Sequence, residues 1–253
     1  MSLEAIEKEK DLSKWAFVKG LPTAISFDIV KVGERYGVVY ELLNARCASD
    51  YIKESEGNMG DFLTKSADLL DLIHSIEVAP GELPDMKLQH YEWIDKCRRY
   101  LPGDVGDWLK GLLDAVPDSH TLLHADYHLK NIMVSGDELV LIDMDTLCAG
   151  DPIFEMATIY NSYKEFPSIS PQAAEFLGIT VEIADRIWEG MLRSFVKNAG
   201  LKDVAGLTGR ARAFGCVRII DYMDNNPDLP ERELCITTCV NDITREYQEG
   251  IIL

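Results

Sequence analysis

The sequence predicts an α+β fold in which a small sheet comes early and a long helical body follows. Three observations carry this. Two short strand-like runs, Ser26–Val32 and Tyr36–Glu41, adjoin one another near the N-terminus. A second strand pair surrounds Ser135-Gly136-Asp137, and after Gly150-Asp151-Pro152 every segment follows a helical period. The chain has 253 residues, 47% apolar and 27% charged, enough to bury an ample core and incompatible with disorder.

Leu3 to Lys19 reads as a helix, with Ile6, Leu12, Trp15 and Ala16 on one stripe and Gly20-Leu21-Pro22 as its stop. The strands Ser26–Val32 and Tyr36–Glu41 meet at Gly33-Glu34-Arg35. Asn58–Ile76 is the clearest amphipathic helix, because Phe62, Leu63, Ala67, Leu70 and Ile73 recur at three- and four-residue steps. A loop over Pro80–Pro84 precedes two shorter helices, Tyr91–Tyr100 and Val105–Ala115. Ile132–Val134 and Leu139–Ile142 flank a hairpin turn of the Gly-x kind at Gly136-Asp137. The helical tail reads Ile153–Tyr163, Pro171–Leu177, Val181–Asn198, Val204–Met223 and Arg232–Glu249, with Thr180 as an N-cap and Gly200 just past the end of the third. There are no internal repeats.

Asp plus Glu number 43 against 25 Lys plus Arg, a formal charge of −18. That balance argues against nucleic acid or an anionic membrane surface as the main partner and allows a cationic small substrate. No apolar stretch is long enough for a membrane helix, and MSLEAIEKEKDLSK carries no apolar signal core. The six cysteines form no C-x-x-C pair and read as free thiols of a reducing cytoplasm. Trp93, Trp108 and Trp188 are assigned to packing, His74 to capping or packing at a helix end, and Asp151 to an N-cap before Pro152.

The chemistry is concentrated in LLHADYHLKNIMV, residues 122–134, and in the strand that ends at Asp143-Met144-Asp145. H-x-D-x-x-x-x-N, then a hairpin, then an apolar strand ending in Asp is the arrangement of phosphoryl transfer in kinases. One carboxylate there orients the attacking hydroxyl, while an Asn five residues on and the acid at the strand end hold Mg²⁺. The hairpin folds back and brings the three together. A metallohydrolase built on His124, Asp126, His128 and Asp143 is a competing reading, but it leaves Asn131 without a task. His128 and Asp145 read equally as supporting groups or as solvated side chains.

These segments resemble the aminoglycoside phosphotransferase and choline kinase-like small-molecule kinases. LLHADYHLKNIMV, LVLIDMDTLCAGDPIFEMA, RYGVVYELLNA and the GLP after the first helix agree with that family in order and spacing, from Glu9 to about Ala157. The resemblance implies a protein-kinase-like two-lobe fold with a reduced N-terminal lobe (residues 1–44, hinge near 41–44) and a large, mostly helical C-terminal lobe (residues 45–253). It implies Asp126 as the catalytic base, His124 as the residue orienting the loop, and Asn131 and Asp143 as the magnesium ligands. The Glu41 carbonyl and the Leu43 amide would hold adenine, and Glu9 falls where the family has its helix glutamate. ATP or another nucleoside triphosphate, Mg²⁺ and a small-molecule acceptor follow.

Ala125 stands where the family has Gly, and Glu155 where it often has Asp. The strands expected before the Glu9 helix, which would carry a phosphate-covering loop and a lysine paired with that glutamate, are not in this sequence. Lys8, Lys10 and Lys14 lie on the helix itself. The expectation is therefore a truncated or degenerate kinase-like chain with weak nucleotide binding and little turnover, and an uncovered sheet edge through which copies would pair as a homodimer.

Overall fold

In the computed structural model, which describes residues 3–229 and 231–250, the first helix stops where the sequence provides a residue free to turn. Helix α1 (Leu3–Val18) buries Ile6, Ser13 and Ala16. Gly20 follows at φ 93°, a left-handed conformation that glycine adopts at no steric cost. The antiparallel hairpin of β1 (Ser26–Val32) and β2 (Arg35–Tyr40) rests on α1, and the Ser26 hydroxyl donates to the Lys10 carbonyl at 3.1 Å. Among the described residues this sheet has two strands, and Phe27, Val30 and Val32 lie exposed on it.

A second sheet builds the floor of the site. It runs β3 (Arg46–Cys47), β5 (Ile132–Ser135), β6 (Glu138–Leu141), all antiparallel. Ser135 faces Glu138, so Gly136 and Asp137 form the two-residue turn that the sequence predicts. The Leu141 amide donates to the Pro22 carbonyl at 2.7 Å, which ties the segment after α1 to the edge of this sheet. A short pair of β4 (Leu122–Leu123) and β7 (Cys148–Ala149) brackets the loop between them. The short strands β3, β4 and β7 have too few residues to show a period, and the sequence does not announce them.

The remaining elements are helical: α2 (Ala48–Lys53), α3 (Glu56–His74), α4 (Met86–Cys97), α5 (Val105–Asp114), α6 (Ile153–Tyr160), a π-helical turn (Asn161–Glu165), α7 (Phe166–Ile169), α8 (Pro171–Phe176), α9 (Val181–Asn198), α10 (Val204–Asn225) and α11 (Arg232–Glu249). α10 runs through the middle of the core, burying Phe214, Cys216, Val217 and Ile220 against α6 and α11. The sequence reading has no counterpart for α2 or α7, and two further helices depart from it. α4 begins five residues earlier than expected because the Asp85 carboxylate accepts the Leu88 amide at 2.9 Å and caps it there. The expected helix Ile153–Tyr163 widens into the π turn after Tyr160. Thr180 caps α9 as expected, accepting the Ile183 amide at 3.3 Å. Asp151 accepts the Ile153 amide at 2.9 Å.

All six cysteines are free thiols, and Cys47 alone is exposed. Cys216 and Cys239 converge on Glu165 inside the helical core, a grouping invisible in the linear spacing. Trp188 is buried, and Trp93 and Trp108 pack half-buried against the core. Among the described residues no helix is long and apolar enough to cross a membrane.

Candidate active site

The loop from His124 to Asn131 leaves β4 through a conformation that an L-residue resists. Ala125 sits at φ 62°, which costs an L-residue roughly 1–2 kcal/mol. The surroundings hold it there. Glu155, in the first turn of α6, accepts the His124 amide at 2.6 Å and the Ala125 amide at 3.0 Å. From the opposite side, Thr146 Oγ1 donates to the His124 carbonyl at 2.7 Å and Arg218 Nη1 to the Ala125 carbonyl at 2.5 Å. The N–H and C=O groups of both residues thus have partners. Burial pushes the Glu155 carboxyl up to about 7, against the lowering effect of the two amides. His124 is fully buried, which drives its imidazole down to about 4. The neutral ring accepts the Asp126 amide through Nδ1 at 3.3 Å.

The loop then presents Asp126. Asn131 Nδ2 donates to its Oδ2 at 2.8 Å and to its carbonyl at 3.0 Å, and His128 Nε2 lies 3.4 Å from the same Oδ2. Burial alone would raise this carboxyl, but the contact with His128 and the nearby Arg218 and His124 outweigh it and hold the group below its ordinary range. The Ile142 amide donates to the Asn131 carbonyl at 2.9 Å, so the loop's end and the end of the β6 strand are fastened together. One residue on, Asp143 takes φ 65°, a second non-glycine residue in the left-handed region. Asn131 Oδ1 accepts no hydrogen bond among the described residues.

Two cavities open from this junction. One, of about 490 Å³, is lined by Glu9, Glu41, Leu43, Asp143 and Asp145, with Ala24, Met133 and Ile142 as apolar walls. The other, of about 610 Å³, contains Asp126, His128, Arg218 and the π-helical turn. Among the described residues, neither the Glu41 carbonyl nor the Leu43 amide has a partner, whereas the Glu41 amide is bonded to Ile25. Glu9 makes no ion pair among the described residues. The Tyr40 hydroxyl donates to Glu9 at 2.9 Å, and burial with the adjacent Glu9 pushes that phenol up to about 12. Asp145 is raised by burial and by Glu9 and Asp143. The donors gathered at this junction, Asn131 Oδ1 and the carboxylates, are all oxygens, the set that suits a hard divalent cation such as Mg²⁺.

The sequence profile described as "Phosphotransferase enzyme family" matches residues 2–185. The chain belongs to that family. Its fold is similar to that of the aminoglycoside phosphotransferase APH(4)-Ia in a ternary complex with AMP-PNP and hygromycin B, with TM-score 0.64 and 14% identity, covering 96% of this chain and 83% of that one. The APH(2")-IIa complex with gentamicin gives TM-score 0.59 and 16% identity over 99% of this chain and 83% of that one. A ternary complex of APH(4)-Ia with ADP and hygromycin B gives 0.63 and 14% over 97% and 84%. No protein of curated function matches the sequence. The fold is thus the two-lobe, protein-kinase-like α+β fold of the sequence reading.

Within this phosphotransferase-family chain the structure brings Glu9, Glu41, Leu43 and Asp143 to one cavity, and joins Asp126 to Asn131 beside the other. Three participants escaped the sequence reading. Arg218 lies 93 residues from the carbonyl it grips, on a helix with no local motif. Tyr40 reads only as a strand aromatic. Glu155 is visible in the sequence as a substitution for Asp, yet its role as the clamp on Ala125 appears only once α6 is placed against the loop.

Proposed function

We propose that this chain transfers the terminal phosphoryl group of ATP, or another nucleoside triphosphate, to a hydroxyl of a small molecule in the presence of Mg²⁺. The observation that carries the reading is the 2.8 Å bond between Asn131 and Asp126, fastened through Ile142 to the strand end at Asp143. Asp126 would accept the hydroxyl proton on its carboxylate as the oxygen bonds to phosphorus and the bond to the departing diphosphate breaks. His124 and Glu155 would hold the loop in place. Asn131 Oδ1 and Asp143 would hold the magnesium, whose charge offsets that of the phosphates. The unpartnered Glu41 carbonyl and Leu43 amide offer the acceptor and donor pair that an adenine edge requires, between the walls of Met133 and Ile142. We take residues 1–44 as the smaller lobe and 45–253 as the larger one, with the hinge near 41–44. The similar folds that hold AMP-PNP or ADP support nucleotide use.

One observation favours a second reading, ligand binding without turnover. Glu9 faces Tyr40 and, among the described residues, no cation. ADP release on mixing the protein with Mg²⁺, ATP and hydroxyl acceptors distinguishes the two. Acceptor-dependent ADP release that disappears in Asp126→Asn supports transfer; tight Mg²⁺-nucleotide binding with no release under any acceptor supports the second reading.

A further inference from the structure

We infer that the acceptor is an uncharged hydroxyl compound with a flat apolar face, not a polycation. The inference rests on the phosphotransfer reading and adds the acceptor's chemical class. It comes from the cavity of about 610 Å³ that contains Asp126, a size typical of a drug-sized ligand. The chain carries −18 overall, but this cavity does not share the excess. Among its described lining residues the carboxylates are Asp126 and Glu231, and Arg218 stands with them. Lys130, which is exposed and outside the lining, holds its Nζ 5.4 Å from the centre of the Phe176 ring. With Asp126 occupied by the reacting hydroxyl and by His128, a single carboxylate is left for the rest of the acceptor. Glu231 already accepts the Ser170 hydroxyl at 3.1 Å. A molecule bearing several ammonium groups would meet one further acid, already bonded to Ser170, and the Arg218 guanidinium, and desolvating its charges without partners is costly.

What the cavity does offer is apolar and aromatic surface. Phe166, Phe176 and Tyr222 line it, and the latter two remain 66% and 53% exposed. Aromatic rings left open beside a carboxylate make a stacking surface for a planar ring or for the apolar face of a sugar. The uncharged polar groups suit a hydroxylated compound. Thr146, Thr158 and Ser162 line the same cavity, and each hydroxyl already donates to a backbone carbonyl, at 2.7, 2.9 and 3.1 Å. Hydroxyl oxygens whose protons are already committed are left to accept from a hydroxyl of the ligand, which needs no charge. The π-helical turn that begins at Asn161 widens the helix at this wall.

Titration calorimetry on the whole chain tests this, with phenyl β-D-glucoside, 2-phenylethanol and 2-naphthyl β-D-glucoside as uncharged probes and gentamicin as the polycation. All are measured at high salt, so that the surface charge is screened. The expected result is saturable binding of at least one uncharged probe, weakened roughly three- to tenfold by Phe176→Ala or Tyr222→Ala, while gentamicin shows no binding sensitive to either substitution. Gentamicin binding more tightly than every uncharged probe and weakening with Glu231→Gln overturns the inference, as does failure of all three uncharged probes to bind. Binding of Mg²⁺-AMP-PNP, measured in parallel, reports on the phosphotransfer reading separately. Its presence alongside gentamicin preference sinks the acceptor class alone, and its absence sinks the underlying reading.

Discussion

Glu155 Oε2 accepts the His124 amide at 2.6 Å, so a buried carboxylate 31 residues downstream fixes the peptide from which the Asp126 loop departs. The same carboxylate takes the Ala125 amide, and no other side chain among the described residues performs this task.

Removing the clamp is therefore expected to be expensive. Glu155→Ala leaves two buried amides unsatisfied and a void beside α6, and should cost about 2–4 kcal/mol. Glu155→Gln keeps one oxygen where both amides can reach it and should cost about 1 kcal/mol. Urea denaturation of both variants checks the order; equal losses would remove the two-amide account.

Acid should strengthen this fold in a defined window. The Glu155 carboxyl is pushed up to about 7 in the fold from an ordinary value near 4.5, so between those values the native state retains a proton that the unfolded chain has released. Stability falls as pH rises through that window, by about 1.4 kcal/mol per unit for one such group at full effect. Glu165 acts in the same direction, raised by burial and by its neighbour Asp242. Below about pH 6.5 the trend is opposed, because burial holds His74, His90 and His124 well under their ordinary value and the unfolded chain takes up protons that the native state refuses; lower still, carboxylates held low by basic partners, such as Asp95 beside Lys110, act in the same opposing direction. Urea midpoints should therefore fall between about pH 6.5 and 8, where the histidines no longer contribute, and Glu155→Gln should flatten that fall. A rising profile would contradict the assignment.

The strained Ala125 yields an opposite kind of prediction. At φ 62° a glycine relieves the clash of Cβ with the following carbonyl, and part of that gain is returned as unfolded-state entropy. Ala125→Gly should stabilise the protein by about 0.5–1 kcal/mol, read as a raised urea midpoint with an unchanged slope. A loss of stability would mean that the Ala125 methyl packs better than its backbone suffers.

Hydrogen exchange separates the two hairpins. The β1–β2 pair has open edges and an exposed apolar surface, while β5 and β6 are buried on the floor of the site. In dilute protein the 26–40 amides should exchange well before those of 132–141. Protection of the first hairpin that rises with protein concentration would report copies pairing through its edge, the association anticipated from the sequence.

Much of the fold was legible because its long elements have a clear period. α3 shows a strong helical period and α9 carries its Thr180 cap, and Gly136-Asp137 names its own turn. The two-residue strands β3, β4 and β7 were not, since pairing across distant segments leaves no local trace. The π-helical turn was hidden for a related reason: Asn161–Glu165 reads NSYKE, a composition any ordinary helix accepts, and the widening shows only in the packed fold, where this turn lies against α9 and α10. For the site, the linear motif carried Asp126, Asn131 and Asp143 because a loop and hairpin place them together by local folding. It did not carry Arg218 or Tyr40, whose approach depends on how α10 and the first hairpin dock.

The central claim is that Asn131 and Asp143 make a magnesium site that receives a nucleotide. Calorimetric titration of AMP-PNP with Mg²⁺ and with EDTA, into the unaltered chain and into Asp143→Ala, tests it most directly. The account predicts saturable binding that requires Mg²⁺ and weakens by tenfold or more on loss of Asp143, a difference of about 1.4 kcal/mol or greater. AMP-PNP affinity that is the same with EDTA as with Mg²⁺, or unchanged in Asp143→Ala, would contradict it.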